Sequence, residues 1–295
     1  MVALFPHGHT VVQLATGFIF TEGPIWHPTE HYLLFSDMPG DVRRRWDIEG
    51  GITEVRRPAN KCNGMTYDRD LNLLVCEHVT SQLVRESPSG ERTVLASHYG
   101  GKELNSPNDV VCAGDGTIYF SDPGYGRVPV FGLEREQELD FQGLYRIDPA
   151  GVVHLEADDF DVPNGMCFSP DGKVLFVNDS TRALIRAFDI APDGSLTNGR
   201  LFYDHIGDGD LSKGIPDGMK IDEAGNIYVT GPGGIWIIDQ NADYVGLIEV
   251  PEGVGNMNWG GDDWRTLFIC ASTSLYSVTV AVAGARESYM PARNS

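Results

Sequence analysis

The chain has 295 residues, 41% of them hydrophobic and 22% charged, with 35 glycines and 17 prolines. That is enough apolar material for a large core, it excludes a disordered or fibrous chain, and it implies many turns. Asp and Glu number 42 against 22 Lys and Arg, a formal net charge of −20, which repels a phosphate backbone and points away from nucleic acid toward a small-molecule partner.

The first nine residues, MVALFPHGH, carry neither a basic region nor a continuous apolar stretch, and no run approaches 18 apolar residues. Neither a signal peptide nor a membrane span is expected, and a cytoplasmic location is the default. The five cysteines, Cys62, Cys76, Cys112, Cys167 and Cys270, lie in apolar segments without CxxC pairing and read as reduced, buried thiols.

An apolar stretch, Val11 to Leu14, comes first, and one three-part unit then recurs six times. Each unit opens on a small or polar pair followed by apolar alternation, at Glu22-Gly23, Asn63-Gly64, Asn108-Asp109, Asn164-Gly165, Asp217-Gly218 and Gly255-Asn256, with spacings of 41, 45, 56, 53 and 38. A β-branched and aromatic run follows: LLFSD at 33–37, LLVCEH at 73–78, TIYFSD at 117–122, VLFVND at 174–179, NIYVTG at 226–231 and TLFICA at 266–271. The third segment reads VRRRWD, LVRESP, LYRIDP, IRAFDI, IWIIDQ and LYSVTV. Three or four short strands per unit, with almost no helical periodicity between them, predict an all-β, six-bladed β-propeller. The whole chain, 1–295, reads as one such domain, and the stretch from Val11 supplies the outer strand of the last blade, which leaves no open edge. Six hairpins in a two-sheet sandwich would not explain the regular triplet. Trp26, Trp236, Trp259 and the methionines at 65, 166, 219 and 257 fall on strand positions as inter-blade core. Two polar insertions, 124–141 and 204–214, belong to loops on the binding face, the first with a short helix over Glu134 to Phe141.

In a propeller the opening residues of the units stand at one level around the central channel. Five of the six, Glu22, Asn63, Asn108, Asn164 and Asp217, carry a side-chain oxygen, and proline directly precedes Asn108, Asn164 and Asp217, which steadies the backbone there. Asn-Gly alone is ordinarily a turn dipeptide. Its recurrence at the equivalent position of successive units favours ligands, and a ring of oxygens without cysteine or several histidines suits a hard divalent cation. GxSxG, GxGxxG and HExxH are absent.

At these residues the sequence resembles the family of senescence marker protein (regucalcin), gluconolactonase and luciferin-regenerating enzyme. The matching pieces are TEGPIW at 21–26, NGMTYD at 63–68, CEH at 76–78, SPNDVV at 106–111, FSDPGYG at 120–126, GLYRIDP at 143–149, VPNGMCFSPDGKVLFVNDS at 162–180 and IPDGMKID at 215–222, nearest to the bacterial gluconolactonase branch. The resemblance implies one divalent metal ion (Ca2+, Mg2+, Mn2+, Zn2+ or Fe2+) held by Glu22, Asn164 and Asp217, with Asn108 beside them. It implies a metal-dependent lactonase that opens a sugar-derived or other small lactone to the hydroxy acid, with Asp217 as general base. His78, Asp122 and Tyr125 are expected to bind substrate. Regucalcin-like members carry arginine where this chain has Ser106, which leaves a less polar lactone in view. Alternatives are hydrolysis of another ester, such as an organophosphate, and a non-catalytic metal-binding propeller. The expected partner is the small lactone, without nucleic acid or membrane, in a monomer or weak homo-oligomer.

Overall fold

The structure, a computed structural model, describes residues 10–207 and 210–290. The first nine residues, on which the reading of a leader rested, and Asp208 and Gly209 of the second insertion lie outside the described residues.

Among the described residues the strands form six four-stranded antiparallel sheets and one small hairpin, His98–Tyr99 with Lys102–Glu103. The inner strands of blades 1 to 6 are Thr21–Trp26, Cys62–Tyr67, Val110–Cys112, Pro163–Phe168, Met219–Ile221 and Val254–Gly260. The second and third strands of each blade coincide with the two apolar segments of each sequence unit, within two residues at either end. Val12–Thr16 pairs antiparallel with Ser274–Thr279, Val12 opposite Ser277 and Thr16 opposite Ser274, so the chain's first strand closes blade 6 as expected.

Six apolar clusters separate the sheets, one at each blade interface. Phe35 and Trp26 meet Phe268 between blades 1 and 6, Tyr228 meets Trp259 between blades 5 and 6, and Val111 and Tyr119 meet Met166 and Val177 between blades 3 and 4. A sheet in this ring is therefore covered on both faces near the axis. The inner strand Thr21–Trp26 is buried throughout, whereas the fourth strand Gly51–Arg56 is half-buried or exposed. Met65, Met166, Met219, Met257, Trp26 and Trp259 are buried in these layers, while Trp236 is half-buried and packs on Tyr244. All five cysteines are buried and unbridged. No helix among the described residues is long and apolar enough to cross a membrane.

Glycine sets the diameter of the ring. In blades 1, 2, 4 and 5 the residue after the opening position is Gly23, Gly64, Gly165 or Gly218, and a Cβ there would lie 1.9, 2.5, 2.1 or 2.2 Å from an atom of the next blade. The neighbouring backbones use this closeness: Gly64 N–H donates to Asn108 O at 2.8 Å, Gly165 N–H to Asp217 O at 3.0 Å and Gly218 N–H to Gly255 O at 2.8 Å. The Asn-Gly pairs are thus strand residues in close approach, not hairpin turns.

The first insertion differs from expectation. Residues 134–141 are not helical, and a single 3-10 turn at Tyr125–Arg127 stands in the insertion instead. Side chains supply the donors that a helix would take from its own backbone: Arg127 Nη1 donates to Glu136 O at 2.8 Å, and Gln137 Nε2 to Leu139 O at 2.6 Å. At the opposite end of the channel, residues 284–290 cross the far ends of three inner strands. Ala285 N–H donates to Ile221 O at 3.0 Å, Ser288 Oγ to Cys112 O at 2.8 Å, and Tyr289 packs edge-on against Tyr67.

Candidate active site

The ring brings Glu22, Asn63, Asn108, Asn164 and Asp217 together from five blades. All but Asp217 are nearly fully buried. Three amides form a one-way chain: Asn63 Nδ2 donates to Asn108 Oδ1 at 2.6 Å, Asn108 Nδ2 to Asn164 Oδ1 at 2.5 Å, and Asn164 Nδ2 to Ser180 Oγ at 3.0 Å. Ser180 Oγ then donates to Pro216 O at 2.6 Å. A carbonyl can only accept, so this last bond sets the direction of the whole chain and turns each amide oxygen toward the preceding donor.

Glu22 is anchored on one side only. Its Oε2 accepts from Gly23 N at 2.6 Å and Asn256 Nδ2 at 3.1 Å, while Oε1 is buried without a hydrogen-bond partner. The sixth unit, whose opening residue has no side chain, makes room for this carboxylate: a Cβ on Gly255 would lie 2.8 Å from Glu22 Oε1. Burial and nearby negative charge raise both acidic groups of the ring. Glu22 is pushed up to about 7, first by burial and further by Asp109, and Asp217 well above the usual carboxylate range, first by burial and then by the charge of Glu22. The Asn164 amide is the opposing, favourable neighbour of Asp217. Two crowded carboxylates, one with an unpartnered oxygen, beside an amide oxygen make a hard-oxygen donor set that a divalent cation fits. Among the described residues no three His, Cys, Asp or Glu side chains gather for a metal; the ring's other oxygens belong to amides.

Above the ring lies a cavity of about 130 Å³, lined by Phe20, Glu22, Met38, Asn63, His78, Asn108, Tyr125, Phe131, Ile215 and Asp217. His78 directly follows the second strand of blade 2, Leu73–Glu77, and is fully buried. Its Nδ1 lies 3.0 Å from Phe131 O, and its Nε2 lies 3.2 Å from Asn108 Oδ1 and 3.4 Å from Asn63 Nδ2. Burial pushes this imidazole down to about 4, so it is neutral at ordinary pH. Burial and the nearby Asp217 push Tyr125 up to about 12; its neighbours are Ser180 and Asn164. Tyr125 and His78 therefore both line this cavity.

Asp122 stands apart from the cavity. Its two oxygens accept from Asn105 N at 2.8 Å and Ser106 N at 2.7 Å, and it is wholly buried. The same register position in blade 4, Asp179, accepts from Asp161 N at 2.8 Å, and in blade 1, Asp37 accepts from Ile19 N at 2.9 Å. This is a repeated brace that ties the chain entering blades 1, 3 and 4 to the end of each one's second strand. The walls Phe20, Met38, Phe131 and Ile215 carry no polar signature in the sequence. Asn256, by contrast, is legible as a departure from the glycine found at that position in four other units.

A larger cleft, about 390 Å³, opens between blades 1 and 2 around His27, Tyr32, Arg43 and Tyr67. Arg43 is already paired there with Glu86 at 2.5 Å, and no residue of the ring reaches it.

Comparison with known proteins bears on the family and the fold. Residues 20–273 match the SMP-30/Gluconolactonase/LRE-like region. The chain is 31% identical to a gluconolactonase from Zymomonas mobilis over 92% of its own length and 81% of that protein's, and 26% identical to a pentonolactonase from Haloferax volcanii, covering 84% and 80%. It superposes on a solved gluconolactonase from Xanthomonas campestris with a TM-score of 0.85 and 29% identity, over 94% of this chain and 91% of that one. A calcium-binding regucalcin from Agrobacterium tumefaciens shares the fold, with a TM-score of 0.80 at 19% identity over 97% and 98% of the two chains. From the repeated blades, the ring and a match across most of its length, the chain belongs to the SMP-30/gluconolactonase/LRE-like family.

Proposed function

We propose that the protein is a lactonase that hydrolyses a small lactone to its hydroxy acid, with a divalent cation at Glu22, Asn164 and Asp217. The observation that carries this reading is the pair of carboxylates from blades 1 and 5, Glu22 buried with a free oxygen and Asp217 half-buried, both lining a small cavity. The names of the gluconolactonase and pentonolactonase relatives support the reaction class.

When bound, the cation supplies Lewis-acid polarisation of the lactone carbonyl. The chain's own groups do the rest. Asp217 accepts the proton of an attacking water as the new carbon–oxygen bond forms. The ring carbon–oxygen bond then breaks, and the departing alkoxide takes up a proton to become the hydroxyl of the product. Glu22 anchors, and the amide chain from Asn63 holds the Asn164 oxygen in place. Tyr125 offers a hydroxyl donor to the substrate, and His78 presents its ring beside the amides of Asn63 and Asn108.

The test is turnover of a lactone panel by wild type and Asp217→Ala, after chelation and re-addition of single cations. Loss of turnover in a folded Asp217→Ala, with cation-dependent activity in wild type, supports the assignment. Unchanged turnover in the variant rejects it, and turnover of phosphotriesters but not lactones rejects the reaction class.

A further inference from the structure

We infer that the substrate is a lactone with an apolar body, such as an alkyl-substituted γ- or δ-lactone, and that Phe131 with Phe20 selects it. The inference rests on the lactonase reading above and names the substrate class of that same site. It is carried by the contrast between the cavity's floor and its walls. The polar groups lie at the floor and are largely spent: Asn63 and Asn108 bond each other, and Asn108 also bonds Asn164. The rest of the lining is Phe20, Met38, Phe131, Ile215 and the Tyr125 ring, with Phe20 and Phe131 in edge contact at 5.7 Å between centroids.

No cationic side chain lines the cavity, and Lys61, Arg127 and Arg135 are engaged elsewhere. Each is used to hold the first insertion over the site. Lys61 Nζ donates to the carbonyls of Pro129, Val130 and Gly132 at 2.7, 2.9 and 3.3 Å. Arg127 donates to Asn105 O at 2.8 Å and Leu104 O at 2.5 Å, and Arg135 to Ser81 Oγ and to His78 O. Ser106 Oγ donates to Pro123 O at 2.5 Å and accepts from Gly126 N at 2.8 Å, and a Cβ on Gly126 would lie 2.5 Å from the Ser106 Cβ. The backbone at Gly126 thus covers the place from which a longer polar side chain at position 106 would reach the substrate.

A lactone bearing a hydroxyl on every ring carbon would press several of them against Phe20, Met38 and Ile215 without partners, which burial penalises. A lactone whose substituents are alkyl gains by covering the same walls. At about 130 Å³ the cavity is well below the size of drug-sized sites and admits one small ring, with a chain leaving past the two phenylalanines.

The experiment compares kcat/KM of the cation-loaded wild type for δ-gluconolactone with that for δ-valerolactone, δ-decalactone and γ-nonalactone. The alkyl lactones are expected to lead by about tenfold or more, and Phe131→Ser to narrow that lead by lowering their kcat/KM. Equal or better use of δ-gluconolactone by wild type overturns the substrate class and leaves the lactonase reading standing. Turnover of none of the lactones overturns that reading and the inference with it. A Phe131→Ser protein that folds and keeps the full alkyl preference removes Phe131 from the selection, and Phe131→Leu, which keeps the wall apolar, is expected to retain most of it.

Discussion

Gly165 and Asp217 touch across the interface of blades 4 and 5: Gly165 N–H donates to Asp217 O at 3.0 Å, and a Cβ on Gly165 would lie 2.1 Å from that same oxygen. Asn178 Nδ2 donates to this oxygen as well, at 2.7 Å, so the backbone of Asp217 is fixed by the neighbouring blade. Gly165→Ala must push the two inner strands apart or unseat Asp217. The expected outcome is destabilisation of about 1–3 kcal/mol, as for other overpacked sites, with loss of lactone turnover exceeding what unfolding explains. Urea titration and kcat measured well below the midpoint separate the two effects.

Asp122 supplies the opposite case. Replacing it with alanine leaves the buried N–H groups of Asn105 and Ser106 without acceptors, at about 1–3 kcal/mol for each group left unsatisfied. Arg127 leans on the same segment through the Asn105 carbonyl, so the covering loop loosens too. Asp122→Ala is expected to lower the unfolding midpoint markedly, whereas Asp217→Ala is expected to abolish turnover with a much smaller stability cost. A folded Asp122→Ala protein with native stability and no activity would return Asp122 to the pocket.

The division between what was legible and what was not follows the physics of burial. Inner strands are covered on both faces, so their apolar alternation and opening Asn or Asp repeat visibly. The fourth strands, such as Arg92–Ala96 and Leu196–Tyr203, are largely exposed and carry no shared apolar pattern, which left three or four strands per unit undecided. Glu22, Asn164 and Asp217 can be placed around the channel from sequence because one register position is read six times over. Asp122 and His78 look alike in the sequence as ends of second strands, but Glu77 is the residue in register with Asp122, so His78 lies one residue further on and lines the cavity while Asp122 shares the bracing role of Asp37 and Asp179. Phe131 was silent because an irregular loop has no period, and its position depends on Lys61, 70 residues earlier in the chain.

Cation binding should be visible without any substrate. Glu22 and Asp217 repel each other in a buried site, so Glu22→Gln relieves a strain that a cation otherwise neutralises. The Gln oxygen can still accept from Gly23 and Asn256. In chelator the variant is expected to melt at or above the wild-type temperature. With Ca2+ or Mn2+ at about 100 times its dissociation constant, wild type gains about 2.7 kcal/mol and the variant gains little. Equal cation-induced shifts in both proteins would remove Glu22 from the site.

Acid should weaken the fold through His78. Its folded value, pushed down to about 4 by burial and further by Lys61 and Arg135, lies below the ordinary value of 6.5, so the folded protein binds fewer protons than the unfolded chain between these limits. The neutral ring's contribution is therefore present above about pH 6.5 and is lost as pH falls through the window toward 4. Glu22 and Asp122, both pushed up to about 7, act in the opposite sense over much of the same range, because the folded protein holds their protons longer. The net slope in wild type is thus a poor reporter, and the difference between wild type and His78→Gln isolates the imidazole. Going from pH 7 to pH 4.5, wild type should lose about 2 kcal/mol more than the variant. Parallel pH profiles for the two proteins would mean that His78 takes up its proton without disturbing the fold, and that its bond to the Phe131 carbonyl does not fix the neutral form.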